Sequence, residues 1–385
     1  MRILHVVPTY APAWRYGGPI RAVHGLCRGL AEVGHAVEVY TTNVDGPGDL
    51  DVPLRRPVQR DGVAVTYFPC PRLRRLYRAA ELGRALETSA AGFDILHAHS
   101  VFLWPTWAAS TAARAAGRPY VLSPRGMLVP ELIDARNAWL KRLWIRAVER
   151  KNLARAATIH VTSNIEASHL ARAGLSLAPV RVVSNGVDLP PASDRPRRPR
   201  EIVYMGRISW KKNLEALIDA IATLAEATLV IAGPDDEGLA PTLRARTRQL
   251  GVGERVQFIG PVDGAEKASL LQESACLVLP SLNENFGNVV VEAMAHGCPV
   301  VVTPDVGARE VVEESGAGET ASDTTAPALA AAIARILDDP AAARAAGARG
   351  RQYVASRLTW QAIASQMSGV YEEAVERQAS TRRAR

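Results

Sequence analysis

Short apolar runs that alternate with longer stretches of helical periodicity decide what this chain can fold into. In the first half, Ile3–Val7, Val37–Thr42, Ala64–Phe68, Ile95–His97, Tyr120–Leu122, Thr158–Val161 and Val180–Val183 read as buried strands. Ile202–Met205, Thr228–Ile231, Val256–Ile259, Cys276–Leu279 and Val300–Val302 repeat the pattern in the second. Runs that lack polar alternation are buried on both faces, the condition of a parallel sheet clothed by helices. Between the two series lies LPPASDRPRRPREI, whose prolines and arginines break the alternation. The pattern therefore predicts two consecutive doubly wound α/β domains, at residues 1–190 and 201–357, with a linker at 191–200. LTWQAIASQMSGVYEEAVERQ predicts a long amphipathic closing helix at 358–378, and ASTRRAR at 379–385 a disordered tail.

Composition narrows the class. A chain of 385 residues exceeds one ordinary core, and 48% hydrophobic with 22% charged residues is a globular balance. No apolar run approaches the roughly 18 residues of a membrane span. MRILHVVPTY reads as a strand and lacks the apolar stretch of a secretory leader. Cys27, Cys70, Cys276 and Cys298 form no metal-like cluster, so reduced core thiols and a cytoplasmic setting are expected. The net charge of +7 divides unevenly: residues 1–200 hold 28 Lys+Arg against 15 Asp+Glu, residues 201–385 hold 18 against 24. A basic first half points to an anionic partner, whether phosphate, nucleic acid or membrane, or reflects an arginine-rich composition; composition leaves both open.

Ligands of such sheets bind beyond the carboxyl ends of the strands, and three segments there carry candidate chemistry. After Cys276–Leu279, the loop SLNENFG leads into a helix beginning near Asn288. It places Glu284 on the loop and Glu292 in an apolar run about one turn into the helix. Backbone amides of Phe286, Gly287, Asn288 and Val289 at that helix start favour an anion such as phosphate. The two carboxylates suit hydroxyl groups of a ribose and a sugar, although a first-turn glutamate is also favoured by the helix dipole alone. In IVYMGRISWKKNLEALIDAI, Arg207 and Lys212 share a strand-to-helix loop, a cation pair suited to a diphosphate. Lys211 is interchangeable with Lys212 at this level, and a solvated loop explains either. In PTYAPAWRYGGPIRAVHGL, Gly17 and Gly18 allow close backbone approach, and Pro19 suits a helix start. Neither a GxGxxG fingerprint nor a P-loop is present.

Together, ENFGNVVVEA with E-x7-E, the GR-x4-K loop GRISWKKN, the Gly-Gly pair, DILHAHS and SNGVD resemble the retaining glycosyltransferases of family 4 over nearly the whole chain. The resemblance implies the GT-B fold, two Rossmann-like domains facing across a cleft, with the closing helix returning to the first. It implies that Arg207 and Lys212 hold the donor diphosphate and stabilise charge on the leaving nucleotide. Glu292 would bind ribose hydroxyls and Glu284 the transferred sugar. The amides of Gly287, Asn288 and Val289 would cradle phosphate and sugar, Gly17 and Gly18 would close the donor site, and Gly260 would lie near the base. Front-face transfer with retention follows, with the leaving phosphate taking the acceptor proton and with no cofactor and no metal. Asp49-Leu50-Asp51, a D-x-D triplet, reads as a solvated turn rather than a metal site.

The sequence departs from the family where many members carry a histidine near the reacting sugar: RPYVLSPRGML offers Ser123, Pro124, Arg125 and Gly126. His99 and Arg125 are therefore the acceptor-side candidates, and His97 reads as structural. The resemblance points to a glycan or polyprenyl-diphosphate-linked acceptor in bacterial surface polysaccharide assembly. In ARNAWLKRLWIRAVERKNLARAA, Trp139, Leu140, Leu143, Trp144 and Val148 mix with basic residues. That pattern suits peripheral contact with the anionic inner face of a membrane, or a helix with its apolar side in the core and a solvated basic side. Two other functions compete: a GT-B sugar-nucleotide epimerase, and a basic nucleic-acid-binding protein. No nucleic-acid-binding motif accompanies the charge, and no nucleic-acid partner is expected.

Overall fold

A computed structural model describes residues 1–129, 133, 138–193 and 195–383. The chain forms two compact units: Met1–Gly186 with Trp360–Arg385, and Val187–Thr359. The terminal helix thus belongs to the first unit, as the resemblance implied. The first boundary follows Gly186, where the composition had placed it at 191–200.

The first unit is built on strands β1 (Arg2–Val6), β2 (Ala36–Thr42), β5 (Pro57–Arg60), β6 (Val63–Phe68), β7 (Ile95–His99), β8 (Tyr120–Ser123), β9 (Thr158–Val161) and β10 (Val180–Val182). They form one sheet in the order β10-β9-β8-β7-β1-β2-β6-β5. All neighbours are parallel except β5 and β6. Strands β3 (Val44–Asp45) and β4 (Gly48–Asp49) form a separate antiparallel ribbon. The ribbon and β5 escaped the sequence reading, because PVQR and paired two-residue strands carry no apolar run. Asp49 of the D-x-D triplet is exposed on that ribbon and pairs with Arg74 at 2.6 Å.

The second unit carries β11 (Arg198–Met205), β12 (Thr228–Ala232), β13 (Val256–Gly260), β14 (Ser274–Leu279), β15 (Val300–Val302) and β16 (Gly318–Thr320). The order is β13-β12-β11-β14-β15-β16, parallel throughout. Val203, Leu229, Ile231, Leu277, Val301 and Val302 are fully buried, as a sheet covered on both faces requires. The predicted linker yields in part to structure, since β11 begins at Arg198 inside it.

The closing helix, Trp360–Arg383, runs five residues into the segment expected to be a disordered tail; residues 384–385 lie outside the described residues. It packs on helix Gly18–Glu32 through glycines. A Cβ at Gly25 would stand 2.1 Å from the Trp360 ring, and one at Gly29 would stand 2.5 Å from the Trp360 carbonyl oxygen. Only hydrogen at these positions lets the backbones approach so closely. All four cysteines are buried and free.

Candidate active site

Both sheets reverse their direction of growth at a central strand, and a crevice at such a switch point is where α/β sheets bind ligands. In the second unit the reversal falls between β11 and β14, the two strands whose following loops carry the candidate residues.

The loop after β11 is held by Tyr204, whose buried hydroxyl donates to the Arg207 carbonyl at 2.8 Å. Packing there is close: a Cβ at Gly233 would lie 1.9 Å from the Gly206 carbonyl oxygen. Arg207 itself is 70% exposed, and among the described residues its side chain meets an acidic group only at Asp236, at 3.9 Å. Lys212 is drawn in and pairs directly with Glu284. That contact separates the two lysines the sequence left interchangeable. Lys211 is half-buried with its ammonium over the Trp210 ring, and burial lowers its pKa. Its carbonyl takes the Leu282 amide, which ties this loop to the one after β14.

The loop after β14 is fixed by the next loop along the sheet. Glu284 N donates to Asp305 O at 2.9 Å, Gly307 N donates to Glu284 O at 2.9 Å, and Ala308 N donates to Phe286 O at 2.6 Å. Phe286 therefore sits in the core with its carbonyl engaged. Gly287, at φ 92° and ψ 61°, precedes helix Asn288–Ala295. A Cβ there would press to 3.0 Å on Leu279 and 3.2 Å on Val306, so both conformation and space demand glycine. Asn288 and Val289 are half-buried in the first turn, where helix amides have no intrahelical acceptor.

Glu292 has a partner that sequence reasoning missed. Its side chain remains 23% exposed, and Lys267 of helix Gly264–Glu273 donates to Oε2 at 2.5 Å. The carboxylate in an apolar run is thus neutralised by a protein cation, so ligand hydroxyls alone do not account for its being tolerated there. A lone lysine in GAEKASLLQE gives no sequence signal of this. Gly260 ends β13 at φ 76°, its carbonyl accepting from Gly233 N at 2.7 Å, with open space where a Cβ would point.

In the first unit the reversal lies at β1, between β2 and β7. Gly17, at φ 68° and with open space around its Cβ direction, precedes Gly18, the first residue of its helix. Beneath the strand ends lies a buried histidine network. His5 and His97 are register partners on β1 and β7, and His97 and His99 share a face by the two-residue period.

A donor-only guanidinium at one end of the network and an acceptor-only carbonyl at the other fix its tautomers. Arg125 Nη2 donates to His99 Nδ1 at 3.2 Å, so His99 Nε2 carries the proton that goes to His5 Nδ1 at 2.9 Å. His160 Nε2 donates to the Val183 carbonyl at 2.9 Å, so His160 Nδ1 accepts from Ser123 Oγ at 2.8 Å. Ser123 in turn accepts from His97 Nε2 at 2.7 Å, and Tyr371 of the closing helix donates to His97 Nδ1 at 2.7 Å. Burial first, then the positive charge of Arg125, pushes His5 down to about 3. His160 falls to about 3 for the same two reasons. Burial also leads in holding His97 and His99 well below the ordinary imidazole range.

Ring nitrogens of His5, His97 and His99 lie within 4.8 Å of one another, close enough for a metal in principle. Yet each lone pair already accepts a hydrogen bond, and the adjacent cation opposes a second positive charge. His99, offered by sequence as an acceptor-side catalytic group, is 1% exposed with both nitrogens engaged. It stands behind Arg125 instead of facing a ligand. Arg125 follows β8 in a left-handed conformation at φ 57°, half-buried, and also donates from Nη1 to Asn185 Oδ1 at 3.1 Å.

The basic, aromatic segment of this unit is helical over Ala138–Trp144, with a π turn at Ile145–Glu149 and helix again at Arg150–Arg155. Trp139, Leu140 and Leu143 are 69%, 47% and 58% exposed, whereas Trp144 and Val148 are half-buried and Ile145 is buried. Trp144 Nε1 and Phe102 N both donate to the buried Glu149, at 2.9 Å and 2.8 Å. Among the described residues, no helix is long and apolar enough to cross a membrane.

Comparison with known proteins bears on the family and the fold. Residues 188–353 match the family model described as Glycosyl transferases group 1, and residues 17–186 that of the Glycosyl transferase 4-like domain. The glycogen synthase of Mycobacterium tuberculosis is 29% identical over 96% of this chain and 94% of its own. The D-inositol 3-phosphate glycosyltransferase of Salinispora tropica is 28% identical over 97% of this chain and 84% of its own. Among solved structures, sucrose-phosphate synthase from Thermosynechococcus elongatus superposes with a TM-score of 0.75 at 25% identity, covering 97% of this chain and 99% of its own.

Proposed function

The chain belongs to the group 1 glycosyl transferases and has the GT-B fold, and from that premise we propose a retaining, metal-independent transfer of a hexosyl group from a nucleotide sugar. The observation that carries this reading is the direct Lys212–Glu284 pair at the switch point of the second sheet, beside the first turn of helix Asn288–Ala295. An ammonium has three donors, so Lys212 can keep Glu284 and still reach a phosphate oxygen. Arg207, exposed and weakly engaged, supplies the bidentate fork. The amides of Gly287, Asn288 and Val289 add dipoles aimed at the same anion.

In this mechanism the two cations neutralise charge as it develops on the departing nucleoside diphosphate, the part a divalent metal would otherwise play. Glu292, oriented by Lys267, accepts from ribose hydroxyls, and Glu284 from hydroxyls of the transferred sugar. The leaving phosphate takes the acceptor proton on the same face, which retains the anomeric configuration. Gly260 borders the base. The acceptor is a glycan or a polyprenyl-diphosphate-linked glycan of surface polysaccharide assembly. Exposed Trp139, Leu140 and Leu143 among Arg142, Arg146, Arg150 and Lys151 support docking on an anionic membrane face.

The test is turnover of a panel of UDP, GDP, ADP and dTDP sugars with and without EDTA, with the product anomer read by NMR. Retention of configuration and undiminished rate in EDTA are expected. An inverted product, or a loss in EDTA that Mg²⁺ restores, refutes the mechanism. Consumption of a nucleotide sugar to its epimer without acceptor favours the epimerase.

A further inference from the structure

Resting on the transferase reading, we propose that Arg125 anchors an anion subsite in the first unit, which takes a phosphate, diphosphate or carboxylate group carried by a substrate. Arg125 has five N–H donors. One reaches His99 and one Asn185, and Nε is buried with no partner. Among the described residues no carboxylate pairs with it. The carboxylate that acts on its charge, Glu166, spends its oxygens on the amides of Gly126 at 2.7 Å and Thr162 at 2.8 Å. A guanidinium partly withdrawn from water without a counter-ion is costly, and an anion with two oxygens in its plane relieves that cost.

The surroundings are arranged to keep this cation available. Four neighbouring histidines stay neutral, so none competes for the anion and none repels the guanidinium. His99 and Asn185 each present an acceptor to a different terminal nitrogen, which sets the plane of the fork while leaving three N–H groups uncommitted. The left-handed backbone of Arg125 is strained for a residue with a Cβ, and glycine or asparagine would adopt it more readily. A strained, oriented, unpaired cation at the carboxyl end of β8 is what an anion site needs. His99 acts through Arg125, as a positioning residue.

The test uses the full-length protein carrying Arg207→Met and Lys212→Met, which silence the donor diphosphate site, titrated with inorganic pyrophosphate by calorimetry. One pyrophosphate should bind. Arg125→Gln in that background should weaken it about 10- to 100-fold, and Arg125→Lys should keep part of the affinity. His99→Ala should weaken it as well, while His99→Asn, whose amide oxygen replaces the Nδ1 acceptor, should restore it. In the otherwise native enzyme, a rise in KM for the acceptor alone in Arg125→Lys assigns the anion to the acceptor, and a rise for the nucleotide sugar alone assigns it to the donor. Pyrophosphate affinity unchanged by Arg125→Gln at an unchanged melting temperature overturns the proposal. So does an absence of binding to the parent double variant. Either failure leaves the transferase reading standing if wild-type enzyme still binds a nucleotide sugar through the second unit.

Discussion

Acidification should unfold the first unit well before carboxylate protonation alone would require it. The four network histidines are neutral in the folded chain because burial disfavours their charged form. In the unfolded chain each titrates near 6.5, so below that pH the unfolded state binds more protons and folding stability falls. The loss begins as pH drops through about 6.5 and continues until the folded pKa, about 3 for His5 and His160, is reached. At pH 5 each histidine held neutral costs about 2 kcal/mol. His5 and His160 together then remove roughly 4 kcal/mol from a total of about 5–15 kcal/mol, and His97 and His99 add in the same direction. For a unit of this size that lowers the melting midpoint by about 10 °C. Six of the seven tryptophans belong to this unit, so intrinsic fluorescence melts between pH 7 and pH 5 follow it directly. A His160→Gln variant should be less stable at pH 7 but show a slope shallower by about one proton. A midpoint that does not move between pH 7 and pH 5 refutes the assignment of neutral, buried tautomers.

Three further outcomes follow from packing, charge and exposure. Gly29→Ala places a methyl against the Trp360 backbone, which cannot swing aside, so it should cost about 1–3 kcal/mol by denaturant titration despite the ~1 kcal/mol gain in helix propensity. A neutral or stabilising result would mean that the closing helix is not seated there. Lys267→Met should weaken nucleoside diphosphate binding roughly 3- to 30-fold while leaving inorganic pyrophosphate binding unchanged, since Lys267 holds the carboxylate proposed to take the ribose; equal loss for both ligands would put Lys267 on the phosphates. The native protein should float with anionic vesicles at low salt, and Trp139→Ala with Leu143→Ala should return it to the soluble fraction. Complete retention of the native protein in the soluble fraction removes the docking surface.

Local signals carried most of the architecture, and tertiary contacts carried what was missed. Every predicted strand exists within a few residues, because a parallel strand buried on both faces is written as a contiguous apolar run. β5 is an antiparallel edge strand and β16 a three-residue edge, so neither needs such a run. Glu284 and Gly287 were placed on one loop because strand end, glycine and helix start lie together in sequence, whereas Lys212 could not be told from Lys211 before its contact with Glu284. Lys267 was not legible, because it reaches Glu292 from a separate helix. The histidine network joins β1, β7, β8, β9 and the closing helix, with members as distant as His97 and Tyr371. Its only local trace was histidine at strand positions that otherwise hold aliphatic residues. The exposure of Trp139 and Leu143 also depended on where their helix packs, which amphipathic spacing alone does not decide.

The proposed transfer requires a nucleoside diphosphate gripped at the carboxyl end of the second sheet. Calorimetric binding of the preferred nucleoside diphosphate to the native protein and to Arg207→Ala, Lys212→Ala and Glu292→Ala measures this directly. Each substitution should weaken binding about 10-fold or more, as loss of a charge-assisted hydrogen bond requires. Native affinity in all three variants would contradict the claim.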